Sequence, residues 1–339
     1  LKSCEIDIMN PAAKAQEFIS AGDVPLGTQA NLFGITGGEG TGKSNYIAAI
    51  VAGCICPAGA EVDTLGIQIT ANGKHKAVLL YDTEQSEVQL FKNVSNLLAR
   101  AKQPDKPDEL KAFCLTGMSR NERLTAIVQS MDKFYYQYGG IQLVVIDGIA
   151  DLVKSANDEA ESVAVIDELY RLAGIYNTCI LCVLHFVPNG LKLRGHLGSE
   201  LQRKAATILS IEKDEEPAQS VVKALKVRDG SPLDVPLMLF AWDKEAGMHV
   251  YKGEKPREEK EKRKERELVN VARDIFGRQT RITYIDLCEQ LQQVLDIKER
   301  TAKSYIRFMR ERDIITKDTA NQSCFVIGSY HLQRNASCP

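Results

Sequence analysis

The sequence lacks both a long apolar segment and an excess of charge of either sign. Apolar runs such as Cys179 to Val187 are far shorter than the ~20 residues that a membrane-spanning helix needs, and no secretory signal is visible. The 43 basic and 45 acidic residues leave a net charge of −2, which excludes a general polycation that coats nucleic acid. We therefore expect a cytoplasmic protein without membrane association. Because the first residue is Leu1, we also expect further residues upstream.

Pairs of metal-ligating residues are scarce as well. Among nine cysteines we find one CxxC spacing of interest, Cys179 to Cys182, and only five histidines could supply a second ligand pair. A strand directs residues i and i+3 to opposite faces, so we interpret these thiols as reduced core residues of a cytosolic protein. A metal site at the CxxC pair is the alternative.

Short β-branched runs alternate with longer helical patterns between residues 31 and 241. This alternation predicts an α/β fold with a mostly parallel sheet and helices on both faces. The last runs follow one another without helices, so we expect an antiparallel extension of the sheet. An Asn72-Gly73 pair predicts a hairpin between Gly66–Thr70 and the run that begins at Ala77. The predicted strands are Leu32–Thr36, Ala77–Tyr81, Leu143–Ile146, Thr178–His185, Thr207–Ile211, Val221–Val227 and Val235–Ala241, and the predicted helices are Ser44–Ala52, Ser86–Lys102, Arg120–Tyr138 and Glu159–Tyr176.

The composition changes after this region. Residues 253–267 are almost all Lys, Arg and Glu, which is typical of a solvated linker or exposed helix, with a binding tail as the alternative. The predicted organisation is a leader (1–30), an α/β domain (31–252), a charged linker (253–267), a small second domain (268–330) and a tail (331–339).

One motif carries the chemistry. Residues 37–44 satisfy the pattern G-x-x-x-x-G-K-[ST], and they follow a predicted strand and open a predicted helix. Such a loop directs successive backbone N–H groups and a helix N-terminus at a triphosphate, while the lysine reaches its β/γ-phosphates and the serine binds Mg²⁺. The sequence thus predicts binding of ATP and Mg²⁺ by Gly37, Gly38, Glu39, Gly40, Thr41, Gly42, Lys43 and Ser44.

Two acidic residues at predicted strand ends extend this site. Asp147 ends a run of four apolar residues, which predicts a second Mg²⁺ ligand beside Ser44, although an aspartate there could also cap a helix. Gly148 follows it, where many ATPases carry a catalytic acid. Glu84 lies just past the predicted strand that ends at Tyr81, and a parallel sheet would bring it to the same edge. A solvated surface glutamate is the alternative.

Together these segments resemble the RecA-like ATPase core over Gly34 to Ala241. The P-loop, Tyr81-Asp82-Thr83-Glu84, Val144-Val145-Ile146-Asp147 and a later strand that ends in a histidine carry the likeness, which is to ring-forming replicative helicases of the DnaB and plasmid RepA types. The resemblance implies that Glu84 is the catalytic glutamate and that His185 senses the γ-phosphate, although a lone strand-end histidine is more often structural. It also implies that Arg194 to Ser199 lies in or near a DNA-facing loop.

Lys226-Val227-Arg228-Asp229-Gly230 resembles the Lys-x-Arg-Asn-Gly segment of these ring helicases. In them the two cations reach the γ-phosphate held by a neighbouring subunit, as arginine fingers do. Residues two apart in a strand share a direction, so Lys226 and Arg228 can converge on one anion. The resemblance therefore implies a homo-oligomer, with a hexamer expected. An exposed basic pair at a turn is the alternative, and Asp229 departs from the family's asparagine.

The C-terminal region predicts helix, turn, helix and then a hairpin, like a winged helix. Four cations recur at three- and four-residue spacing, so they share one face of the second helix. Such a face fits a major groove or phosphate backbone, with a protein-docking winged helix as the alternative. The predicted DNA-binding residues are Arg194, Arg300, Lys303, Arg307 and Arg310.

These features favour a Mg-dependent, ring-forming ATPase that translocates on single-stranded DNA and opens duplexes, with duplex contacts through the winged helix. It would serve replication or mobilisation of a plasmid or mobile element. A DNA-binding regulatory or loader ATPase without unwinding activity is the alternative, and a P-loop protein with protein partners alone is a third hypothesis. The absence of a recognisable primase domain and the acidic stretch Asp151 to Glu161 weigh against processive unwinding more than against ATP hydrolysis.

Overall fold

The computed structural model describes residues 8–9, 14–185, 195–214, 218–256, 260–319 and 321–329. The chain divides into two compact units, Leu1–Lys255 and Pro256–Pro339. The first unit contains strands β1 (Glu17–Ala21), β2 (Val24–Thr28), β3 (Asn31–Gly37), β4 (Gln68–Ile69), β5 (Ala77–Asp82), β6 (Leu110–Cys114), β7 (Ile141–Asp147), β8 (Cys179–His185), β9 (Thr207–Lys213), β10 (Gln219–Val227), β11 (Leu237–Asp243) and β12 (Met248–Lys255). Its helices are α1 (Lys43–Ile55), α2 (Glu87–Arg100), α3 (Arg120–Tyr138), α4 (Glu159–Ile175) and α5 (Gly195–Lys204), with a short 3₁₀ helix at Ile149–Leu152.

Nine of these strands form one sheet in the order β12-β11-β10-β9-β3-β8-β7-β5-β6. Strands β9 through β6 in that order run parallel, while β10, β11 and β12 continue the sheet with antiparallel pairs. The predicted mostly parallel α/β fold and its antiparallel extension are therefore confirmed. The carboxyl ends of β3, β8, β7 and β5 meet at one edge, which is where ligands bind in open α/β sheets.

Helices cover both faces of the sheet, as predicted. On one face α1 and α2 pack through residues such as Ile50 and Leu97. On the other face α3, α4 and α5 pack through residues such as Met131, Ile166 and Leu201. Strands β7 and β8 are buried from both sides, which explains why their sequences are continuous apolar runs rather than alternating ones.

The CxxC pair belongs to this core. Cys179 and Cys182 are free and buried within β8, and burial raises the pKa of the Cys182 thiol to about 12. Among the residues that the structure describes, no group of three or more His, Cys, Asp or Glu side chains is arranged to hold a metal ion. The same part of the chain contains no helix with the length and apolarity to cross a bilayer.

The hairpin predicted at Asn72-Gly73 is wrong. Strand β4 pairs with β1 in a separate three-stranded sheet, β2-β1-β4, and β5 belongs to the large sheet. A type I′ turn needs positive φ at both central residues, and neither residue has it. Instead the Asn72 side chain donates to Lys76 O at 2.6 Å and accepts from Lys76 N at 3.0 Å, which closes a loop between the two sheets. Strands β1 and β2 lie within the predicted leader, and Phe18, Ile19 and Leu26 join the core.

The second unit contains α6 (Lys260–Arg278), β13 (Ile282–Thr283), α7 (Tyr284–Leu295), α8 (Glu299–Glu311), β14 (Ile315–Lys317) and β15 (Cys324–Ile327). The strands form a small antiparallel sheet in the order β13-β15-β14. Thr283 caps α7 by accepting from the backbone of Asp286. The core of this unit includes Leu287, Leu291, Ile306 and Phe325. Strand β12 and helix α6 occupy parts of the predicted charged linker.

Candidate nucleotide-binding site

The glycine-rich loop joins the carboxyl end of β3 to the start of α1. Gly40 and Gly42 adopt positive φ angles of 66° and 92°, which side chains rarely tolerate. A Cβ atom at Gly42 would also lie 2.8 Å from the ring of Phe240. The Thr41 hydroxyl donates to Gly38 O at 2.9 Å and tightens the turn. The loop therefore presents backbone N–H groups and the N-terminus of a 13-residue helix to the cleft above it.

Lys43 is folded onto this loop. Its Nζ donates to Gly37 O at 2.9 Å and to Gly38 O at 2.6 Å, and the side chain is nearly buried. Burial lowers the pKa of this lysine, an effect opposed by the carboxylates of Asp147, Glu84 and Glu39. The ammonium group thus occupies the mouth of the loop, held by two carbonyl groups that an incoming phosphate can replace.

Two carboxylates lie beside the start of α1. Asp82 and Asp147 end neighbouring strands β5 and β7, where they are paired in register. Both line a small space of about 20 Å³ together with Ser44. Burial is the main cause that raises the pKa of Asp147 to about 7, and repulsion from Asp82 and Glu84 adds to it. The positive charges of Lys43 and His185 act in the opposite direction. Carboxylate and hydroxyl oxygens are the ligands that Mg²⁺ prefers, so this donor set fits the ion.

Glu84 is aimed across the same cleft by its neighbours. Asp82 Oδ1 accepts from the backbone N–H groups of Glu84 at 3.0 Å and of Gln85 at 2.8 Å, which forms a tight turn after β5. Thr83 Oγ1 donates to Gly148 O at 2.8 Å and ties this turn to the end of β7. Gly148, with φ of 97°, leaves room for the glutamate, because a Cβ there would lie 2.6 Å from Glu84 Cγ.

The remaining space is a cleft of about 330 Å³ over the loop. Glu84, Gln85, Asp147 and His185 line one end of it, and His249 of β12 lines it as well. Among the described residues that line the cleft, Lys43 is the only lysine or arginine. The glycine cradle, the helix N-terminus and Lys43 fit a polyphosphate, and the acids beside Ser44 fit its metal ion.

A comparison with protein-family models agrees with this geometry. The model described as an AAA domain matches residues 7–189, which is more than half of the 339 residues. The chain belongs to the AAA domain family. No curated protein matched the chain in a separate search. The AAA domain is a P-loop module, so the match supports nucleotide binding and nucleotide-dependent ATPase activity, in agreement with the site at the carboxyl edge of the sheet.

The AAA domain match ends before the predicted cationic pair. Lys226 Nζ donates to Gln202 O at 2.6 Å, and Arg228 donates to Lys204 O at 2.9 Å. Both side chains therefore converge, but on the carbonyl groups of the last turn of α5. Burial lowers the pKa of Lys226, and the nearby charge of Arg228 lowers it further.

The predicted DNA-binding residues are scattered over both units. Arg194 lies outside the described residues, and the residues after it begin helix α5, with Leu197 buried against the core. In the second unit Lys303 pairs with Glu299 at 2.7 Å and Arg307 with Glu311 at 2.8 Å, both within α8. Arg300 and Arg310 are exposed on the same helix.

Sequence reasoning missed three residues near the site. Asp82 and Thr83 position Glu84, and their place within the Tyr81-Asp82-Thr83-Glu84 motif is a signal that could have identified them. His249 could not be assigned to the site from sequence in the same way, because its approach to the loop depends on the order of strands β9 to β12. The nearby Trp242, one hairpin turn before it, is the signal that the sequence offers.

Proposed function

We propose that this AAA domain protein is a Mg-dependent ATP hydrolase that assembles into a ring, with a hexamer expected, and translocates on DNA as a helicase. Its place in replication or mobilisation of a plasmid or mobile element follows from the resemblance to the DnaB and RepA types. In this proposal the ATP lies between two copies of the chain. One copy supplies the P-loop and carboxylates, and the other supplies Lys226 and Arg228.

The observation that carries the proposal is the position of Lys226 and Arg228 relative to their own P-loop. Strand β10 runs antiparallel to β9, and Val227 pairs with Thr207, which in turn pairs with Phe33 near the start of β3. The cations thus lie at the amino edge of the parallel strands, whereas the P-loop follows the carboxyl edge. Several residues of β3 at about 3.3 Å each separate the two positions. This separation from their own P-loop supports a role for the two cations at the nucleotide of another copy.

The acidic P-loop cleft and the cationic pair Lys226 and Arg228 carry complementary charges. The cleft carries Glu39, Glu84 and Asp147 against a single lysine, so a bound triphosphate would add negative charge to an acidic site. Two cations from an adjoining copy would neutralise the charge that develops as the γ-phosphoryl group is transferred. Exposure of Arg228 leaves it accessible to a partner.

Exposed apolar side chains flank both the P-loop cleft and the segment that carries Lys226 and Arg228. Val88 and Phe91 lie on the first turns of α2, directly after the Glu84 turn, and are 81% and 73% exposed. Leu233 follows the finger segment and is 70% exposed. Val88 and Phe91 are three residues apart and share one face of α2, and contiguous exposed apolar surface of this kind marks an interaction site. A second copy is the occupant that these patches and the opposite charges favour together.

Within one copy the residues would act on the attacking water and the phosphates. Glu84 would orient and polarise the water, and His185 would contact the γ-phosphate beside it. Lys43 would leave the loop carbonyl groups and bind the phosphates. Ser44 and Asp147, with Asp82 near them, would hold Mg²⁺, which supplies charge neutralisation on the phosphate oxygens.

The second unit supports contact with DNA. A cleft of about 600 Å³ beside α8 and β14 is lined by Arg307, Arg310 and Lys317 against the single acid Glu311. The order of helices and the small antiparallel sheet of this second unit are compatible with a winged helix. We propose that this face binds the phosphate backbone of duplex DNA and that the ring channel holds single-stranded DNA.

Mixing two inactive variants tests the shared site. Lys43→Ala removes phosphate binding but keeps the fingers, and Arg228→Ala keeps phosphate binding but removes a finger. We expect each variant alone to be inactive and their mixture to recover ATP hydrolysis at hybrid interfaces. Activity no higher than the weighted sum of the parents would contradict a site shared between copies.

A forked duplex tests the action on DNA. We expect single-stranded DNA to stimulate ATP hydrolysis and the fork to be opened while ATP is consumed. Stimulation without strand separation would instead favour the alternative function, a regulatory or loader ATPase. Native mass measurements with and without nucleotide determine the number of copies in the assembly.

A further inference from the structure

The P-loop cleft extends to both sides of β3. Asp147, Glu84 and His185 follow β7, β5 and β8, which lie on one side of β3 in the sheet. His249 belongs to β12, at the far end of the sheet on the other side of β3. Both groups line the same cleft. In the proposed function the terminal phosphate lies against Glu84 and His185, and the rest of a nucleotide would then extend toward His249.

A row of aromatic rings occupies that second end. Trp242 and His249 are directly opposite each other in the β11–β12 hairpin. Their rings meet edge to face with centroids 5.5 Å apart, and the His249 ring meets Phe240 in the same way at 5.7 Å. Phe240 in turn lies under Gly42 of the loop. Trp242 is 53% exposed, so the row ends in a large flat ring that faces solvent next to the cleft-lining His249.

The strand that carries His249 is held firmly in place. The guanidinium of Arg100, a nearly buried residue at the end of α2, donates to the backbone carbonyl groups of both His249 and Asp63. The Asp63 carboxylate accepts from Tyr251 N at 2.8 Å, two residues further along β12. The backbone on which the His249 ring stands is therefore held by part-buried hydrogen bonds, as a preorganised binding site requires.

The polar character of this end is unlike that of the phosphate end. His249 Nδ1 is buried and has no hydrogen-bond partner among the described residues. Burial and the nearby charges of Arg100 and Lys213 lower the pKa of His249, which favours the neutral ring. Neutral rings with one exposed tryptophan face suit a planar heterocycle much better than an anion.

We propose that Trp242 and His249 form the binding surface for the nucleobase of the nucleotide whose phosphates bind residues 37–44. This inference rests on the proposed function, because the P-loop must hold the phosphates. Trp242 provides a face for stacking, and His249 limits the depth of the pocket and offers its ring to the base edge. Arg100 acts as a positioning residue through the backbone of His249.

Trp242 is the single tryptophan of the chain, so its emission reports on this surface directly. The experiment titrates the full chain with Mg·ATP and with Mg·tripolyphosphate, which has the phosphates without a base. Calorimetry measures binding of each ligand, and fluorescence measures the response of Trp242. We expect both ligands to bind and only ATP to change the tryptophan emission.

The variant His249→Ala adds an independent readout. We expect its affinity for ATP to fall about tenfold, as loss of one aromatic contact implies, and its affinity for tripolyphosphate to stay unchanged. His75→Ala is the matched control, because His75 is an exposed histidine that pairs with Glu109 away from the cleft. It should bind both ligands like the unaltered chain.

Two results separate the possible failures. Tripolyphosphate binding together with an equal Trp242 response to both ligands, or with unchanged ATP affinity in His249→Ala, would overturn the nucleobase surface while leaving the P-loop function intact. Binding of neither ligand to the unaltered chain would overturn the proposed function and this inference with it. The fluorescence comparison uses the unaltered chain, so it does not depend on the folding of a variant.

Discussion

His185 Nε2 lies 3.2 Å from Glu84 Oε2, although the two residues are 101 positions apart in the chain. Both side chains are about one-third exposed at the mouth of the P-loop cleft. The histidine that would contact a γ-phosphate thus holds the glutamate that would activate water. Arrival of a phosphate at His185 would compete with this contact and release the carboxylate at the moment when it is needed.

Replacement of Glu84 by glutamine tests its proposed role in catalysis. Glutamine keeps the shape and the contact with His185 but cannot act as a base, so we expect ATP hydrolysis to fall by at least about a hundredfold. Nucleotide affinity, measured by calorimetry, should change little. Gln137→Ala, an exposed position on α3 at the other face of the sheet, is the control. Hydrolysis by Glu84→Gln at the control rate would remove Glu84 from catalysis.

Gly148→Ala tests how the glutamate is placed. The added Cβ would collide with Thr83 and Glu84, and alanine would adopt a φ of 97° at a cost of about 1–3 kcal/mol in unfolding free energy. We expect lower thermal stability and a larger loss of hydrolysis than of nucleotide binding. Gly174→Ala lies in α4 with open space around its Cβ and should be neutral or stabilising. Full hydrolysis by Gly148→Ala would contradict this placement.

The pKa of Asp147 predicts a pH dependence of metal binding. In the metal-free chain the protonated form dominates below about pH 7, because burial and the neighbouring acids raise this pKa. A proton therefore competes with Mg²⁺, and we expect affinity for Mg·ATP to decline as pH falls from 8 to 6, by up to about tenfold per unit below 7. Calorimetry in buffers of different ionisation enthalpy should detect proton release. Asp147→Asn should weaken binding and remove the pH dependence.

Phe91→Ser tests the proposed contact between copies. Burial of a phenylalanine contributes about 1.5–3 kcal/mol, so the dissociation constant for self-association should rise at least about tenfold. Tyr136→Ser is the control, since Tyr136 is 77% exposed on α3, which covers the other face of the sheet. Sedimentation at several protein concentrations measures both. Equal assembly of the two variants would exclude Phe91 from the interface.

The carboxyl edge of the sheet could be predicted from sequence because its signals are local. The glycine pattern of residues 37–44 and the apolar run before Asp147 each specify a strand and its end. The Asn72-Gly73 dipeptide is a local signal too, but it misled the prediction. The β4 segment pairs with β1, which lies about fifty residues earlier in the chain, within the predicted leader.

Contacts that depend on the order of the strands could not be predicted from the sequence. His249 reaches the P-loop cleft only because three antiparallel strands follow β9 and return an aromatic hairpin toward Gly42. The positions of Lys226 and Arg228 at the amino edge likewise depend on the direction of β10. The sequence identified the pair by resemblance, and the direction of that strand places both cations away from the P-loop of their own copy.

The hydrogen bonds from Lys226 and Arg228 to the end of α5 would couple the nucleotide site of one copy to a helix of the next in the proposed ring. Both donors satisfy carbonyl groups that every helix leaves exposed at its last turn, where the helix dipole is negative. A triphosphate on the adjoining copy offers the same two cations a stronger anion. In the proposed ring, ATP binding to one copy would thereby weaken the contacts that hold the C-terminal turn of α5 in the adjoining copy, and hydrolysis would restore them.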